Sequence, residues 1–316
     1  MSASSNADAP ATAAPVVDEG IRSIIEKEMA TLRLSYGAEA VPVSAEEALK
    51  KCEEGAMKGK VVVVTGGSKG FGKSYAFKAA KYGAKVVLGA RGQSGIDAVV
   101  QQIQKEGGEA TGLATDVSNW DDQVALFEHT VSTFGPVDAV IANAGIFEGG
   151  VLLEDKLDEK TGKLAEPDIS TISINIIGTV YTSKLAFHYL SLNPSTSLKS
   201  LVILGSLTSY IPSPGCPLYC MSKHGLLGLQ RSLSLESIGK GIDVVFVASA
   251  PVPTDIFGDL LGMIQNLPHG ELDDTVHAML AGSSIPGLNG KVYATDTQGI
   301  FQVPFKKALP GEEVAK

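Results

Sequence analysis

Cysteine is scarce: Cys52, Cys216 and Cys220 are the only three in 316 residues. Three thiols build no disulfide framework and suit a reducing compartment, so a cytoplasmic protein is expected. Tryptophan is rarer still, with Trp120 alone. No apolar run approaches the ~20 residues that a membrane-spanning helix needs, which excludes a membrane span. Basic blocks are absent as well. Lysine and arginine number 26 against 35 acids, a net charge of −9, which argues against nucleic acid as a partner. The segment Met1 to Asp18 has neither a positive start nor an apolar core of the secretory kind. The first arginine is Arg22, which argues against a mitochondrial address. Cys216 and Cys220 have no further ligand types at metal spacing, so no metal is expected. What is present is a chain 44% apolar, enough for a large core in one or two domains.

From Lys60 onward, strand and helix patterns alternate. Apolar runs predict strands over 61–65, 85–89, 110–114, 137–142, 200–205, 242–248 and 291–295. Helices are predicted over 71–82, 95–106, 120–134, 168–191, 217–238 and 270–281. The alternation implies an α/β fold, a Rossmann-like doubly wound parallel sheet, with ligand outside the carboxyl ends of the strands. A single domain is expected over 59–316, preceded by an N-terminal helical extension over 1–58. Residues 1–20, rich in Ala, Ser and Asp, are expected to be disordered. Ile21, Ile24, Ile25 and Met29 stand at near-helical spacing. Ser44-x-x-Glu47 is a capping-box pattern opening a helix through Ala56. The extension is expected to dock as an arm on the core or a subunit interface; a lid or partner-binding segment is the alternative. Two segments break the alternation. Glu154 to Asp168, with Thr161-Gly162 as turn centre, predicts a surface loop or short hairpin near the site mouth. Pro253 to Pro268 carries Ile256, Phe257, Leu260, Leu261, Met263, Ile264 and Leu267.

The residues that carry chemistry come in a fixed order. Thr65 closes the run Val61-Val62-Val63-Val64. The following Gly66-Gly67-Ser68-Lys69-Gly70-Phe71-Gly72 makes a tight turn that lets backbone approach a pyrophosphate. The helix opening near Phe71 aims its first N–H groups at that charge. Asn143-Ala144-Gly145 follows a second strand, and Ser206 a third. Tyr219 and Lys223 then share one helix face. Of eight tyrosines, only Tyr219 has lysine four residues on. A phenol with a pKa of about 10 is a poor base near neutrality. A neighbouring ammonium favours phenolate, so Lys223 is expected to tune Tyr219 into a usable acid or base. The Ser206 hydroxyl is expected to steady the substrate oxygen. Together these residues imply hydride exchange between a nicotinamide cofactor and a carbonyl or alcohol. At the end of the second strand, where an NAD site usually has an acid, the chain has Ala90 and then Arg91. A guanidinium there suits a 2′-phosphate, and Lys69 can reach the same group. Two cations with no opposing acid favour NADP (NADPH).

In this set the chain resembles the short-chain dehydrogenase/reductase family over about residues 59–300. Thr65, Gly66, Gly70 and Gly72 match its Thr-Gly-x-x-x-Gly-x-Gly. Asp116-Val117 matches the pair bordering the adenine, and Asn143-Ala144-Gly145 the segment beside the cofactor. Asn175, Ser206, Tyr219 and Lys223 match the catalytic tetrad. The resemblance implies that Lys223 also holds the nicotinamide ribose and that Asn175 positions a relay water. The expected cofactor contacts are Gly66, Ser68, Lys69, Gly70, Phe71, Gly72, Arg91, Asp116, Val117, Asn143, Ala144, Gly145, Tyr219, Lys223, Val252 and Thr254. One departure stands out: Ser249-Ala250 replaces the family's usual Pro-Gly, although Val252 and Thr254 still occupy the carboxamide positions. Pro253 to Pro268 corresponds to the family's substrate loop, and its apolar residues imply a bulky apolar substrate.

The implied function is an NADPH-dependent ketone reductase, or the reverse alcohol oxidation. An NAD-dependent alcohol dehydrogenase of prostaglandin-dehydrogenase-like type is one alternative, and a non-catalytic cofactor-binding regulator another. The intact Ser206, Tyr219 and Lys223 speak against the regulator. The resemblance also implies a homodimer or homotetramer formed through helices 168–191 and 217–238, the latter with Leu226, Leu227 and Leu229. Cys216 and Cys220 are expected to be small buried residues; pocket lining by Cys216, with sensitivity to thiol reagents, is the alternative. His224 is expected to be structural, because Gly205-Ser206-Leu207-Thr208-Ser209 is no nucleophile elbow. Trp120 is expected to pack.

Overall fold

The computed structural model describes residues 44–148, 152–153, 155–195, 199–213, 215–261 and 269–304, with Ser23, Lys27, Val41 and Pro42. The expectations for residues 1–20, for Ile21, Ile24, Ile25 and Met29, and for Met263, Ile264 and Leu267 lie outside the described residues. Runs of β-branched residues make the centre of one sheet. Its strands are β1 (Val41–Pro42), β2 (Val61–Thr65), β3 (Lys85–Ala90), β4 (Glu109–Ala114), β5 (Ala139–Ala142), β6 (Lys199–Leu204), β7 (Ile242–Ala248), β8 (Val292–Asp296) and β9 (Gly299–Val303). Every residue of β2 and β5 is buried, as strands covered on both faces must be.

The sheet order is β1-β9-β8-β7-β6-β5-β2-β3-β4. Strands β2 to β8 pair in parallel, while β9 runs antiparallel to β8 and β1 to β9. The order reverses between β5 and β2. A crevice therefore opens past the carboxyl ends of those two strands.

Helices cover both faces. On one side lie α1 (Ala45–Glu53), α2 (Gly70–Lys81), α3 (Gln93–Lys105) and α7 (Leu272–Ser284), packing Cys52, Tyr75, Ile96 and Met279 onto Val62 and Val64. On the other lie α4 (Trp120–Phe134), α5 (170–192) and α6 (Pro217–Glu236), packing Phe127, Leu185 and Leu226 around Val63. Helix α5 has three parts: Ser170–Ile172, a π turn over Ser173–Ile177, and Gly178–Leu192.

Several expectations shift in detail. Ser44 caps α1, but its hydroxyl accepts from the Glu46 N–H, and the helix ends at Glu53 rather than Ala56. The helix buries Ala48 and Cys52. The hairpin β8–β9 was not expected from the sequence pattern. It turns where the Asp296 carboxylate accepts from the Gln298 N–H and Gly299 takes a positive φ. Leu157 and Leu164 form an antiparallel bridge around Gly162, so the polar segment is a short hairpin. Leu226 and Leu227 belong to the chain's own core, with Leu229 packed against it. The exposed apolar residues of α6 and α5 are instead Met221, Leu235, Ile177, Val180 and Leu192. Trp120 is part-exposed, edge-on to Tyr181 at 5.3 Å. Among the described residues no helix is long and apolar enough to cross a membrane.

Candidate active site

The glycine turn is bound to the end of β5 by side chains. The Thr65 hydroxyl donates to the Ile141 carbonyl (3.3 Å) and accepts from the N–H groups of Asn143 (3.1 Å) and Ala144 (3.2 Å). The Asn143 amide donates back to the carbonyls of Thr65 (2.8 Å) and Gly66 (3.2 Å). This closeness dictates glycine. A Cβ at Gly72 would lie 2.5 Å from both Asn143 Nδ2 and the Gly66 carbonyl oxygen. Gly66 has φ +69°, and a Cβ there would meet the Ala144 backbone at 2.8 Å. Helix α2 begins at Gly70, with Lys69 as its cap residue, no side-chain cap and no acid in its first turn. Its leading N–H groups thus have no anionic partner from the helix itself, which fits a phosphate cradle. Thr254 lies over this turn, 3.8 Å from where a Gly70 Cβ would stand, and Val252 is buried.

At the far end of the crevice, Ala90 closes β3 and Arg91 follows, exposed. Asp116 accepts from the N–H and the hydroxyl of Ser118. The Ser118 hydroxyl holds this carboxyl below its ordinary range, with the charge of Arg91 adding to the effect. Lys69 lies 3.8 Å from Asp255, both exposed. The sequence reading of two cations without an opposing acid is therefore corrected: each has a carboxylate nearby. Val117 packs against Gly178, and Ser68 lies beside Gly95 at the start of α3.

Asn175, Ser206, Tyr219 and Lys223 converge where β5, β6, α5 and α6 meet. Asn175 is fully buried in the π turn. Its Oδ1 accepts from the Ile146 N–H (2.9 Å). Its Nδ2 donates to the Ile146 carbonyl (3.0 Å) and to Ser222 Oγ (3.0 Å). The Thr179 hydroxyl takes up the Asn175 carbonyl. Side-chain and main-chain bonds of this kind stabilise a widened turn, a feature frequent at functional sites. Gly145 stands between Asn175 Oδ1 and Lys223 Nζ, 3.2 and 3.7 Å from where its Cβ would be.

Ser206 caps the short 3-10 turn Leu207–Ser209. Lys223 Nζ donates to the Leu204 carbonyl (3.2 Å) and stands 5.5 Å from the centroid of the Tyr219 ring. Burial pushes Lys223 down to about 8. Burial also raises the Tyr219 phenol well above its ordinary value, and the Ser206 hydroxyl opposes that rise. The sign is opposite to the one expected from Lys223 alone. Two desolvated groups each favour their neutral form, and burial is the largest cause of both shifts.

An aromatic cover closes over the phenol. The Phe147 ring lies 4.8 Å from that of Tyr219 and 5.3 Å from that of Phe257. The sequence pattern does not single out Phe147 or its neighbour Glu148, although both lie within three residues of Asn143-Ala144-Gly145. Cys216 is buried, donates to Ser213 and is pushed up to about 11 by burial. Its burial is that of a small core residue, and the raised pKa lowers its thiolate fraction. His224 lies on the outer face of α6, its Nδ1 3.0 Å from the Cys220 carbonyl.

Comparison with known proteins places the chain in a family and agrees with its fold. The family model described as short chain dehydrogenase matches residues 60–263. A short-chain dehydrogenase/reductase of Penicillium rubens is 35% identical over 214 residues, covering 64% of this chain and 59% of that protein. The chain thus spans about three fifths of the length of this fungal relative. Carbonyl reductase family member 4 of Xenopus laevis is 29% identical over 242 residues, covering 75% of this chain and 96% of that protein. Among solved structures, a 3-ketoacyl-(acyl-carrier-protein) reductase of Brucella melitensis complexed with NADH has the same fold. It superposes with a TM-score of 0.66 at 24% identity, covering 76% of this chain and 98% of that one. The chain belongs to the short-chain dehydrogenase family.

Proposed function

We propose that this protein is an NADPH-dependent oxidoreductase that reduces a ketone on a bulky apolar small molecule, or oxidises the matching secondary alcohol. The observation that carries the reading is the burial of Tyr219 beside Ser206 and Lys223, with Phe147 against its ring and Phe257 against Phe147. A protonated phenol in a dry site is a proton donor to a carbonyl oxygen. Ser206 offers that oxygen a hydrogen bond. Lys223, fixed by the Leu204 carbonyl, keeps a titrating amine beside the phenol. Asn175 holds the strand end at Ile146 and so the wall of the crevice. The nicotinamide, when bound, supplies or accepts the hydride. Gly66, Ser68, Lys69, Gly70, Phe71 and Gly72 would hold its pyrophosphate side. Asp116, Val117 and Arg91 would hold the adenosine; Asn143, Ala144, Gly145, Val252 and Thr254 the nicotinamide end. The aromatic cover supports a bulky apolar substrate.

The preference for NADPH rests on Ala90 and Arg91 at the end of β3, with Lys69 across the turn. One observation favours the competing NAD-dependent reading: Asp116 and Asp255 stand near those two cations. The discriminating experiment is the ratio of kcat/KM for NADPH and NADH with a ketone panel, in wild type and in Arg91→Ala. A lost charge-assisted contact of roughly 1.5–3 kcal/mol means a fall of about tenfold or more for NADPH, with NADH unchanged. A wild-type preference for NADH, or an unmoved ratio in the variant, refutes the NADPH assignment. Assembly as a homodimer or homotetramer is part of the same proposal, supported by Ile177 and Val180 of α5 and Met221 and Leu235 of α6, all exposed. A cytoplasmic site of action accords with three free thiols.

A further inference from the structure

We propose that Glu148 is a positioning residue for Tyr219, holding the main chain of the tyrosine against the strand end beside the glycine turn. The inference rests on the proton-donor role given to Tyr219 above. Helix α6 opens with Pro217, which has no N–H to offer. The next two N–H groups, of Leu218 and Tyr219, both donate to Glu148 Oε2, at 2.9 and 3.0 Å. No residue of the helix provides this cap. Cys216 at the cap position makes no such bond, and the first turn has no acid. A serine or aspartate at position 216 would cap the helix locally. A carboxylate from a distant strand end does more, because it fixes the helix relative to that strand.

The tyrosine is held at its other end by the same segment. Its carbonyl accepts from Ser222 Oγ (2.7 Å), which in turn accepts from Asn175 Nδ2 (3.0 Å). Asn175 is bonded to both main-chain groups of Ile146, two residues before Glu148. Phe147, between them, packs its ring on the phenol ring. Residues 147 and 148 thus hold Tyr219 by its ring and its N–H, and Ile146 reaches its carbonyl through Asn175 and Ser222. Glu148 is only 8% exposed, and its Oε1 has no hydrogen-bond partner among the described residues. Burying such a group is unfavourable, offset here by two N–H donors and the positive end of a long helix.

The test compares Glu148→Ala, which removes the acceptor, with Glu148→Gln, which keeps one oxygen for both N–H groups. Turnover, cofactor affinity and hydrogen exchange are measured in each. Glu148→Ala should lower kcat on the order of tenfold or more, with KM and cofactor Kd within about threefold. The deuterium isotope effect on kcat, read with deuterated reduced cofactor, should rise because the chemical step slows. Amide exchange at Leu218 and Tyr219 should quicken roughly tenfold as the first turn frays. Glu148→Gln should recover most of each effect. A folded Glu148→Ala protein with wild-type kcat and isotope effect overturns the proposal, as does a Gln variant as impaired as Ala. If Glu148→Ala does not fold, Glu148→Met takes its place as the acceptor-free variant of matching length. A wild type that turns over no carbonyl with either cofactor refutes the donor role of Tyr219. The exchange rates then still decide whether Glu148 holds the tyrosine N–H.

Discussion

Lys223→Met should make the unliganded protein more stable at neutral pH while ending its turnover. Lys223 is 3% exposed, and burial brings its pKa from 10.5 to about 8. At about 1.4 kcal/mol per unit, keeping the ammonium buried costs roughly 3 kcal/mol below pH 8. Methionine fills a similar volume without charge. The substitution also removes the donor to the Leu204 carbonyl, a loss of about 1 kcal/mol. The net expectation is a gain of about 2 kcal/mol at pH 7, large against a total stability of roughly 5–15 kcal/mol.

The pH signature separates this account from a simple packing effect. Between pH 8 and 10.5 the unfolded chain binds a proton that the folded chain does not. Wild-type stability therefore gains a rising contribution with pH across that window. The advantage of the variant should shrink to near zero by about pH 10. Urea unfolding of both proteins at pH 7 and pH 10 measures the difference, and titrations common to both cancel. A variant less stable at pH 7, or a difference equal at both pH values, refutes the reasoning.

Tyr219→Phe should lower kcat by about a hundredfold or more, within the range of general acid catalysis. Cofactor titration by fluorescence should show an unchanged Kd, because the ring and its packing on Phe147 remain. Gly72→Ala forces a Cβ to within 2.5 Å of Asn143 Nδ2 and the Gly66 carbonyl. It should destabilise the fold by roughly 1–3 kcal/mol and weaken cofactor binding, read by thermal unfolding with and without cofactor. Phe257→Ala opens the cover over Phe147 and should raise KM for a bulky ketone by about tenfold or more, with a small ketone little affected.

Most of the sheet was legible because its strands are covered on both faces and so appear as unbroken β-branched runs, such as Val61 to Val64. The π turn was not. Residues 170–192 have the composition of one regular helix, and the widening at Ser173–Ile177 follows from where Asn175 finds partners, on Ile146 and Ser222. The β8–β9 hairpin was missed because five residues starting with glycine carry little pattern of their own. In the site, residues recognisable by type and order were found, whereas Glu148 was not. Its role depends on a contact 70 positions along the chain, and an acid after Phe147 looks like any surface charge. The charge balance at Lys69 and Arg91 failed for the same reason: Asp255 and Asp116 come near them only through the fold.

The opposite shifts of Tyr219 and Lys223 bear on direction. A tyrosine acting as base must lose its proton first, and an ammonium alongside would assist that. Here Lys223 Nζ is turned to the Leu204 carbonyl, 5.5 Å from the ring centroid, and both groups are buried. Burial is the largest cause of both shifts, because water is removed from both groups. The site therefore rests with the phenol protonated and, above about pH 8, the amine neutral. Protonated phenol is the form that donates to a carbonyl oxygen, which suits the proposed reduction. Oxidation requires the phenolate and must supply the free energy that burial withholds, or bring further charge stabilisation into the crevice. The same desolvation that makes Lys223 a liability to stability keeps the Tyr219 phenol in the form that the proposed reduction uses.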